Sequence, residues 1–587
     1  MRFDAPFVLL DDARPGGEAA RLYRAPVRTI VAETAGEIAG ALTALDAARA
    51  EGLNAAGYIA YEAGHALEPK LGVPANSGSL LWFGLFNGFE TIAADDVAAL
   101  LPDPAGAWVG RPRPGISRTD YGAAFARVHD WIEAGDIYQA NLTFRATVRV
   151  IGDPLAAYAA IRGRAAAGYG GIVWTGREWL LSFSPELFFA LRDNELIARP
   201  MKGTTRRGVT PEEDAEAKAM LASDPKQRAE NLMIVDLMRN DLTRIAEPGS
   251  VTVPELFKVE TYPTLHTMVS TVSAKLAAGT SVGEVIAATF PCGSVTGAPK
   301  IRAMEVIGAV EADARGAYTG SIGRIDANGD AAFNVAIRTL HLAEGADVAT
   351  IGLGSGVVAD SRAGEEWDEC LAKGAFLTRG QRRFDLIETM AFDPNDGIAL
   401  LERHLARMKA SAEVFGFAFD RHAVRNELQA ATFRLREAAR VRLMLSAKGH
   451  VAIGTAPMPP APDGPVTVAI RPLTVAPRDF RLVHKTSDRR IYPRIEGVFE
   501  TIYIDADGYL TEGSFTSIFV RHDDVLLTPK SSRGLLPGVL RAELVEAGRA
   551  IEADLTPADL TSGFFIGNAL RGLVAAVTVA EEALPDL

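Results

Sequence analysis

The sequence predicts a mixed α/β chain built from at least two successive domains. Three observations carry that prediction. At 587 residues the chain is too long for a single hydrophobic core. Short strand-like runs, such as 56–61 and 79–86, alternate with Ala-rich helical ones. Pro-, Gly- and Arg-rich punctuation falls at 111–115 (RPRPG) and at 377–383 (LTRGQRR), and the second of these separates residues 1–378 from residues 384–587.

Composition narrows the class. With 48% hydrophobic and 23% charged residues the chain reads as a globular enzyme. A net charge of −13 argues against a nucleic-acid or anionic-membrane partner. Two cysteines, Cys292 and Cys370, give no disulfide framework. The opening MRFDAPFVLLDD is too short in its apolar run for a signal peptide, and no apolar stretch is long enough to span a membrane. The expectation is a cytoplasmic enzyme.

In chain order, Thr119 reads as the N-cap of a helix carrying Phe125, Val128 and Ile132. DIYQANLT, 136–143, offers polar residues that either line a pocket or cap a strand. SPELFFALR is followed by an Asp193-Asn194 turn and IARPMKGTTRRG, a hairpin that carries Glu186 back towards Lys202. Beside Arg199, Arg206 and Arg207, Lys202 is expected to have a lowered pKa and a free nucleophilic amine; a solvated basic loop is the ordinary alternative. A helix over 228–242 places Glu230 near its start, where the helix dipole alone would satisfy it, and turns Leu232, Val235 and Leu242 to the core. FPCGSVTGAPK, 290–300, is a Gly-rich loop entering a helix at Pro299. Its N–H groups suit a carboxylate or another small anion rather than a nucleotide, or it is a plain turn.

YTGSIG (318–323) and AAFNVAIRTL (331–340) read as strands. In the second, Asn334, Ala336 and Arg338 share a face, and Arg338 there needs a substrate carboxylate or a structural salt bridge. The run 351–361 is a strand broken by Gly352, Gly354 and Gly356. GEEWDECLAKG places Glu366, Glu369 and Lys373 on one helix face, with Trp367, Leu371 and Ala375 on a neighbouring face for the core. Two carboxylates at that spacing either share a hard cation, Mg²⁺ by preference, or form a solvated face.

Taken together, SPELFF, RPMKGT, AENLMIVDLMRNDL, GSVTGAPK, YTGSIG, FNVAIRTL and GSGVVADS…E..E...K resemble, in order and spacing, the chorismate-utilising enzymes across 1–378. The resemblance implies a large antiparallel αβ sandwich. It implies Mg²⁺ on Glu230, Glu366 and Glu369. Ser294, Thr296, Gly297, Tyr318, Arg338, Gly352, Gly354, Gly356 and Lys373 would hold chorismate. A lysine in RPMKGT is similar to the aminodeoxychorismate synthase branch, where the anthranilate branch typically has alanine; Lys202 would then act covalently and Glu186 as acid. The anthranilate branch also carries a histidine at the position of Thr267, and His266 lies one residue early, which on a strand faces it away. With no Gly-x-Cys-x-Gly nucleophile in the chain, ammonia is expected from a separate glutamine amidotransferase or from solution.

The block 384–587 contains FDLIETM, LLERHLARM with Arg403 and Arg407 one turn apart, HKTSDRRIY with Lys485, a hairpin turning at Asp507-Gly508 followed by Glu512, LLPGVLR opening a helix at Pro537-Gly538, and FFIGNALRG. Lysine, acid, arginine and helix N-terminus are the parts an aldehyde cofactor needs; singly, each is an ordinary surface or capping residue. In order they resemble the fold-type IV pyridoxal-phosphate (PLP) enzymes. The resemblance implies PLP on Lys485, Glu512 at its ring nitrogen, and Arg403, Val539, Leu540 and Asn568 at its phosphate. The block is shorter than that family's domain, and Ser517 stands where asparagine is usual. Beside the first block it is expected to be an aminodeoxychorismate lyase, with Thr389 as a second hydroxyl in the pocket, and the two blocks to make 4-aminobenzoate for folate. The alternatives are anthranilate or isochorismate synthase fused to an amino-acid aminotransferase, or a catalytically silent second block.

Overall fold

The computed structural model describes residues 5–72, 78–262, 265–561 and 563–579. The chain divides into two compact units. The first comprises Met1–Leu101, Arg111–Val150 and Tyr158–Gly380; the second comprises Gln381–Leu587 with the segments Pro102–Gly110 and Ile151–Ala157.

Two large antiparallel sheets build the first unit. One runs from Gly297–Ala298 through Gln139–Gly152, Val348–Val357, Thr339–Ala343, Glu178–Ser182, Gly170–Trp174, Phe7–Asp11 and Ala20–Arg24 to Glu90–Ile92. The other runs from Met201–Arg206 through Leu265–Lys275, Glu195–Arg199, Leu187–Arg192, Ala331–Asn334, Ser321–Ile325, Asn54–Ile59 and Leu81–Phe86 to Arg28–Ala32. Helices Ala35–Ala50, Pro225–Thr243 and Val282–Thr289 pack on this second sheet through Leu45, Ile234, Met238 and Ile286 against Phe189, Val272 and Phe333. The Asp193-Asn194 turn closes a hairpin with Arg192 opposite Glu195, both turn residues at positive φ as a tight hairpin turn requires.

Several local expectations are corrected. Ser117, not Thr119, caps the helix Arg118–Glu133, its hydroxyl accepting from Asp120 N. The helix around Glu230 starts at Pro225, capped by Asp224, so Glu230 lies in its second turn, beyond the reach of a first-turn dipole effect. Leu232 is 43% exposed, and Ile234 and Met238 take its place in the core. Leu371 and Ala375 are likewise exposed; Trp367, Cys370 and Gly374 are the buried residues of helix Ala363–Gly374. The run 331–340 is two strands, Ala331–Asn334 in one sheet and Thr339–Ala343 in the other. The chain crosses between them through Arg338 at φ 51°.

The second unit holds an antiparallel sheet of Gly397–Ile398, Leu386–Asp393, Ala439–Leu445 and Val451–Pro457. Helices Leu401–Phe415 and Arg421–Thr432 bury Leu405, Met408, Phe415 and Leu428 with Met390, Val441 and Leu443. Its other sheet has eight strands, with parallel pairs joining Val466–Pro472 to both Glu500–Ile504 and Gly572–Thr578. Among the described residues no helix is long and apolar enough to cross a membrane.

Candidate active sites

A cavity of about 270 Å³ in the first unit collects most of the expected residues: Glu186, Lys202, Glu230, Ser294, Tyr318, Arg338, Gly352, Gly354, Gly356, Glu366, Glu369 and Lys373 all line it. Lys202 gets there through a bulge. The pairing of Met201–Arg206 with Leu265–Lys275 slips between Met201 and Thr204, with Gly203 at φ 89°. The amine then lies over Gly356, where a Cβ would stand 2.9 Å from Lys202 Nζ and 3.1 Å from Gln139 Nε2. Gln139 is fully buried and its amide has no partner among the described residues. It comes from the 136–143 segment, whose pocket role the sequence left open, and the orphaned amide is visible only once the strands are assembled.

Burial lowers the Lys202 pKa, with Glu230 opposing and Lys373 adding to the effect. The expected cause is corrected. Arg207 is exposed and forked onto Asp214, Arg199 pairs with Glu260, and Arg206 points outward, so their charges are neutralised or solvated. Glu186 is buried and pushed up to about 6 by that burial, with the Ser294 hydroxyl and the Lys202 charge pulling back. Its Oε1 has no hydrogen-bond partner among the described residues. Burial thus shifts the amine towards its neutral form and the carboxyl towards its protonated form, the two species a displacement at carbon with a departing hydroxyl needs.

The strand break aims Arg338. Val335 N donates to Glu186 O and Ala336 N to Gly320 O, which pins the crossing and leaves the Arg338 guanidinium in the cavity beside the Phe376 ring at 5.9 Å. Burial lowers its pKa. Strand alternation, the expected reason, does not operate there. Gly352 admits the Tyr318 ring, since a Cβ would lie 2.0 Å from it. Lys373 Nζ donates to Gly354 O at 2.9 Å and pairs with Glu369 at 2.8 Å.

Two expected residues do not face this cavity. The Thr296 hydroxyl donates to Cys292 O and Gly293 O inside its own loop. Gly297, at φ 154°, pairs with Ala140 so closely that a Cβ would meet Gln139 O at 2.1 Å. The loop therefore supplies Ser294 while Thr296 and Gly297 hold its shape. His266 also faces away: its Nε2 meets Asp214 at 2.9 Å, whereas the Thr267 hydroxyl donates to Gly203 O. Among the described residues no three acidic, histidine or cysteine side chains stand close enough to enclose a metal ion; Glu366 accepts from Ser361 and Glu369 pairs with Lys373.

The second unit contains a cavity of about 490 Å³ lined by Thr389, Lys485, Glu512, Val539, Leu540 and Asn568 among others. Burial lowers Lys485 to about 8 and raises Glu512 to about 7, where Tyr492 O–H donates to it. Helix Val539–Glu546 starts at the cavity with Gly538 as its N-cap, and a Cβ at Gly538 would stand 2.6 Å from Ser517 Oγ. A small hydroxyl at 517 thus suits the close approach of the helix start.

Arg403 is corrected. It pairs with Glu543 and Glu546 and does not line this cavity. Arg407, one turn on, does, with its guanidinium on Glu388 at 2.6 and 2.8 Å and on Pro537 O. Glu388 also binds His404 Nδ1 at 2.6 Å, and His404 Nε2 is buried without a partner. Glu388 and His404 were not foretold; the signal for them is an acid inside the apolar strand Leu386–Asp393. The Asn568 side chain lines the cavity but is spent on Phe515 O and on Leu570 N and Arg571 N, so it shapes the wall.

Residues 6–379 match the family model of chorismate binding enzymes. The chain belongs to that family. Residues 385–579 match the amino-transferase class IV model, a class that implies PLP. Within the chorismate-binding family, the chain is 44% identical over 261 residues to aminodeoxychorismate synthase component 1 of Klebsiella aerogenes, covering 44% of this chain and 57% of that one. It is 41% identical over 258 residues to the Escherichia coli K12 protein of the same name, covering 44% and 56%. The chain thus spans little more than half the length of these curated relatives. The solved anthranilate synthase component I of Streptococcus pneumoniae superposes with a TM-score of 0.54 at 25% identity, covering 62% of this chain and 93% of that one.

Proposed function

We propose that this chain makes 4-aminobenzoate from chorismate in two steps, one in each unit. The observation that carries the reading is that Lys202, its pKa lowered by desolvation, lines the same cavity as Glu186, whose carboxyl burial raises; the identity to aminodeoxychorismate synthase components supports it. Lys202 attacks ring C2 of chorismate, the two conjugated ring double bonds shift from C1=C2 and C5=C6 to C1=C6 and C4=C5, and the C4 hydroxyl leaves as water with the proton of Glu186. Ammonia then adds at C4, both double bonds shift back, and Lys202 is expelled from C2. Arg338 and Lys373 hold the substrate carboxylates. Glu230, Glu366 and Glu369 all line this cavity, and the Glu230 carboxyl is raised by burial with the other two charges adding to it; as they stand they do not enclose a metal ion, so a divalent cation would have to draw them together, relieving that repulsion. Mg²⁺ held there would neutralise the ring carboxylate.

Ammonia comes from a separate glutamine amidotransferase or from solution. Burial pushes Cys292 up to about 12 and Cys370 up to about 11, so neither thiol is a nucleophile for glutamine.

In the second cavity Lys485, Glu512, Arg407 and the N–H groups of Val539 and Leu540 have the chemistry of a PLP cradle. Bound PLP supplies an electron sink for breaking the C4–H bond of aminodeoxychorismate. Lys485 takes the C4 proton, its lowered pKa letting it act as a base near neutrality. Glu512 would hold a proton at the PLP ring nitrogen, and Arg407 with the helix start would hold its phosphate. Pyruvate leaves as the ring becomes aromatic, with Thr389 a hydroxyl within the same cavity.

The test supplies the full chain with chorismate, Mg²⁺, PLP and ammonium and separates the products. 4-Aminobenzoate with pyruvate is expected. Anthranilate would overturn the first step, and aminodeoxychorismate accumulating unchanged would overturn the second and leave that unit silent.

A further inference from the structure

We infer that Arg489 is the receptor for a substrate carboxylate in the second cavity, and that this cavity is shaped for a dicarboxylate rather than for an amino acid with an apolar side chain. The inference rests on the lyase reading above and deepens it.

Charge balance points the same way. Among the described residues lining the cavity Glu512 is the one acid, and six arginines accompany Lys485. Two anchoring groups can be told apart. Arg407 belongs to the first, bonded to Glu388 and to Pro537 O just before the helix start. Arg489 belongs to the second. Its guanidinium lies 4.3 Å over the Tyr492 ring, and its Nη2 donates to Ser514 O at 2.8 Å. Tyr492 in turn donates to Glu512. Stacking and one hydrogen bond therefore fix the Arg489 plane, while its Nη1 is buried with no acceptor among the described residues. A cationic donor left unpaired in a dry wall is unfavourable unless a ligand completes it. A carboxylate is the ligand whose geometry fits a guanidinium edge.

Arg489 lies close enough to Lys485 to depress its protonation, as do Arg407 and Arg442. A carboxylate on Arg489 thus sits beside the reacting amine. Arg442, from strand Ala439–Leu445, is exposed at the same cavity and among the described residues has no carboxylate partner; it is placed to receive the second carboxylate. A substrate with one carboxylate and an apolar tail would leave one of these charges unmatched.

The test uses the PLP-loaded full chain with isophthalate, a flat ring dicarboxylate, and benzoate, its one-carboxylate counterpart. Binding is read from the visible circular dichroism of the cofactor. Isophthalate should bind wild type roughly tenfold or more tightly than benzoate. Arg489→Gln should erase that preference with the cofactor absorbance intact, and Arg489→Lys should keep part of it. The KM for supplied aminodeoxychorismate should rise in Arg489→Gln by more than kcat falls. An unchanged isophthalate preference in Arg489→Gln would overturn the inference. So would loss of the cofactor band in both variants, which would place Arg489 on the cofactor. A wild type that prefers isophthalate through Arg489 yet leaves aminodeoxychorismate untouched would sink the lyase reading and spare this one.

Discussion

Lys202 and Lys485 are both amines that burial drives towards the neutral form, and each shares its cavity with a carboxyl that burial drives towards the protonated form. Desolvation penalises charge of either sign, so one physical cause prepares a nucleophile and an acid together. Glu186 is the sharper case, with its raised pKa of about 6 and an unpartnered Oε1. A raised carboxyl keeps its proton below that pKa and loses it as pH rises through it. The acid-dependent rate should therefore fall on the alkaline side, and Glu186→Gln should lower kcat by roughly 10²- to 10⁴-fold and remove that limb; a pH–rate profile unchanged in shape would contradict the role. The motifs around these residues were legible in the sequence, but their electrostatics were not. The arginines beside Lys202 in the chain are discharged by Asp214 and Glu260, partners 7 and 61 residues away. The same limit explains Arg403. One helix turn separates it from Arg407, and only the packing of Val539–Glu546 decides which of the two is turned outward onto glutamates. Arg407→Ala should weaken PLP binding by roughly tenfold or more, and Arg403→Ala should leave it unchanged; titration of the cofactor absorbance measures both.

At the scale of elements, the glycines of Val348–Val357 and of the 290–300 loop have different jobs that the sequence pattern could not separate. A Cβ at Gly356 meets only the mobile ends of Lys202 and Gln139. Gly356→Ala should fold normally and lose amination by displacing the amine. A Cβ at Gly297 meets backbone at φ 154°, where no side chain can yield. Gly297→Ala should lower the unfolding midpoint as well as activity. Thermal unfolding beside chorismate consumption distinguishes the two, and equal midpoints for both variants would contradict this division. The hairpins were readable because their turn residues are local signals: Asp193-Asn194 and Asp507-Gly508 both sit where expected. The run 331–340 was not. Its apolar alternation is continuous in sequence, and the break that aims Arg338 arises because the two halves pair with strands of different sheets.

For the whole molecule, the family resemblance carried by the motifs implied an antiparallel αβ sandwich, which the two large sheets of the first unit match, and it implied a lysine, an acid and a helix start for the second, which line one cavity there. The segments Pro102–Gly110 and Ile151–Ala157 joining the second unit were not foretold, since nothing local marks a strand end as belonging to another core. Each unit has a cavity that brings together an amine, an acid and further cationic side chains, and the central claim is that the first of these amines becomes covalently attached to the ring. The most direct measurement is mass spectrometry of the full chain, quenched and digested after exposure to chorismate and Mg²⁺ without ammonium. The account predicts a gain of one chorismate less one water on the peptide carrying Lys202, discharged by ammonium and absent in Lys202→Ala. Amination at an undiminished rate by Lys202→Ala, with no adduct on the wild-type peptide, would contradict it.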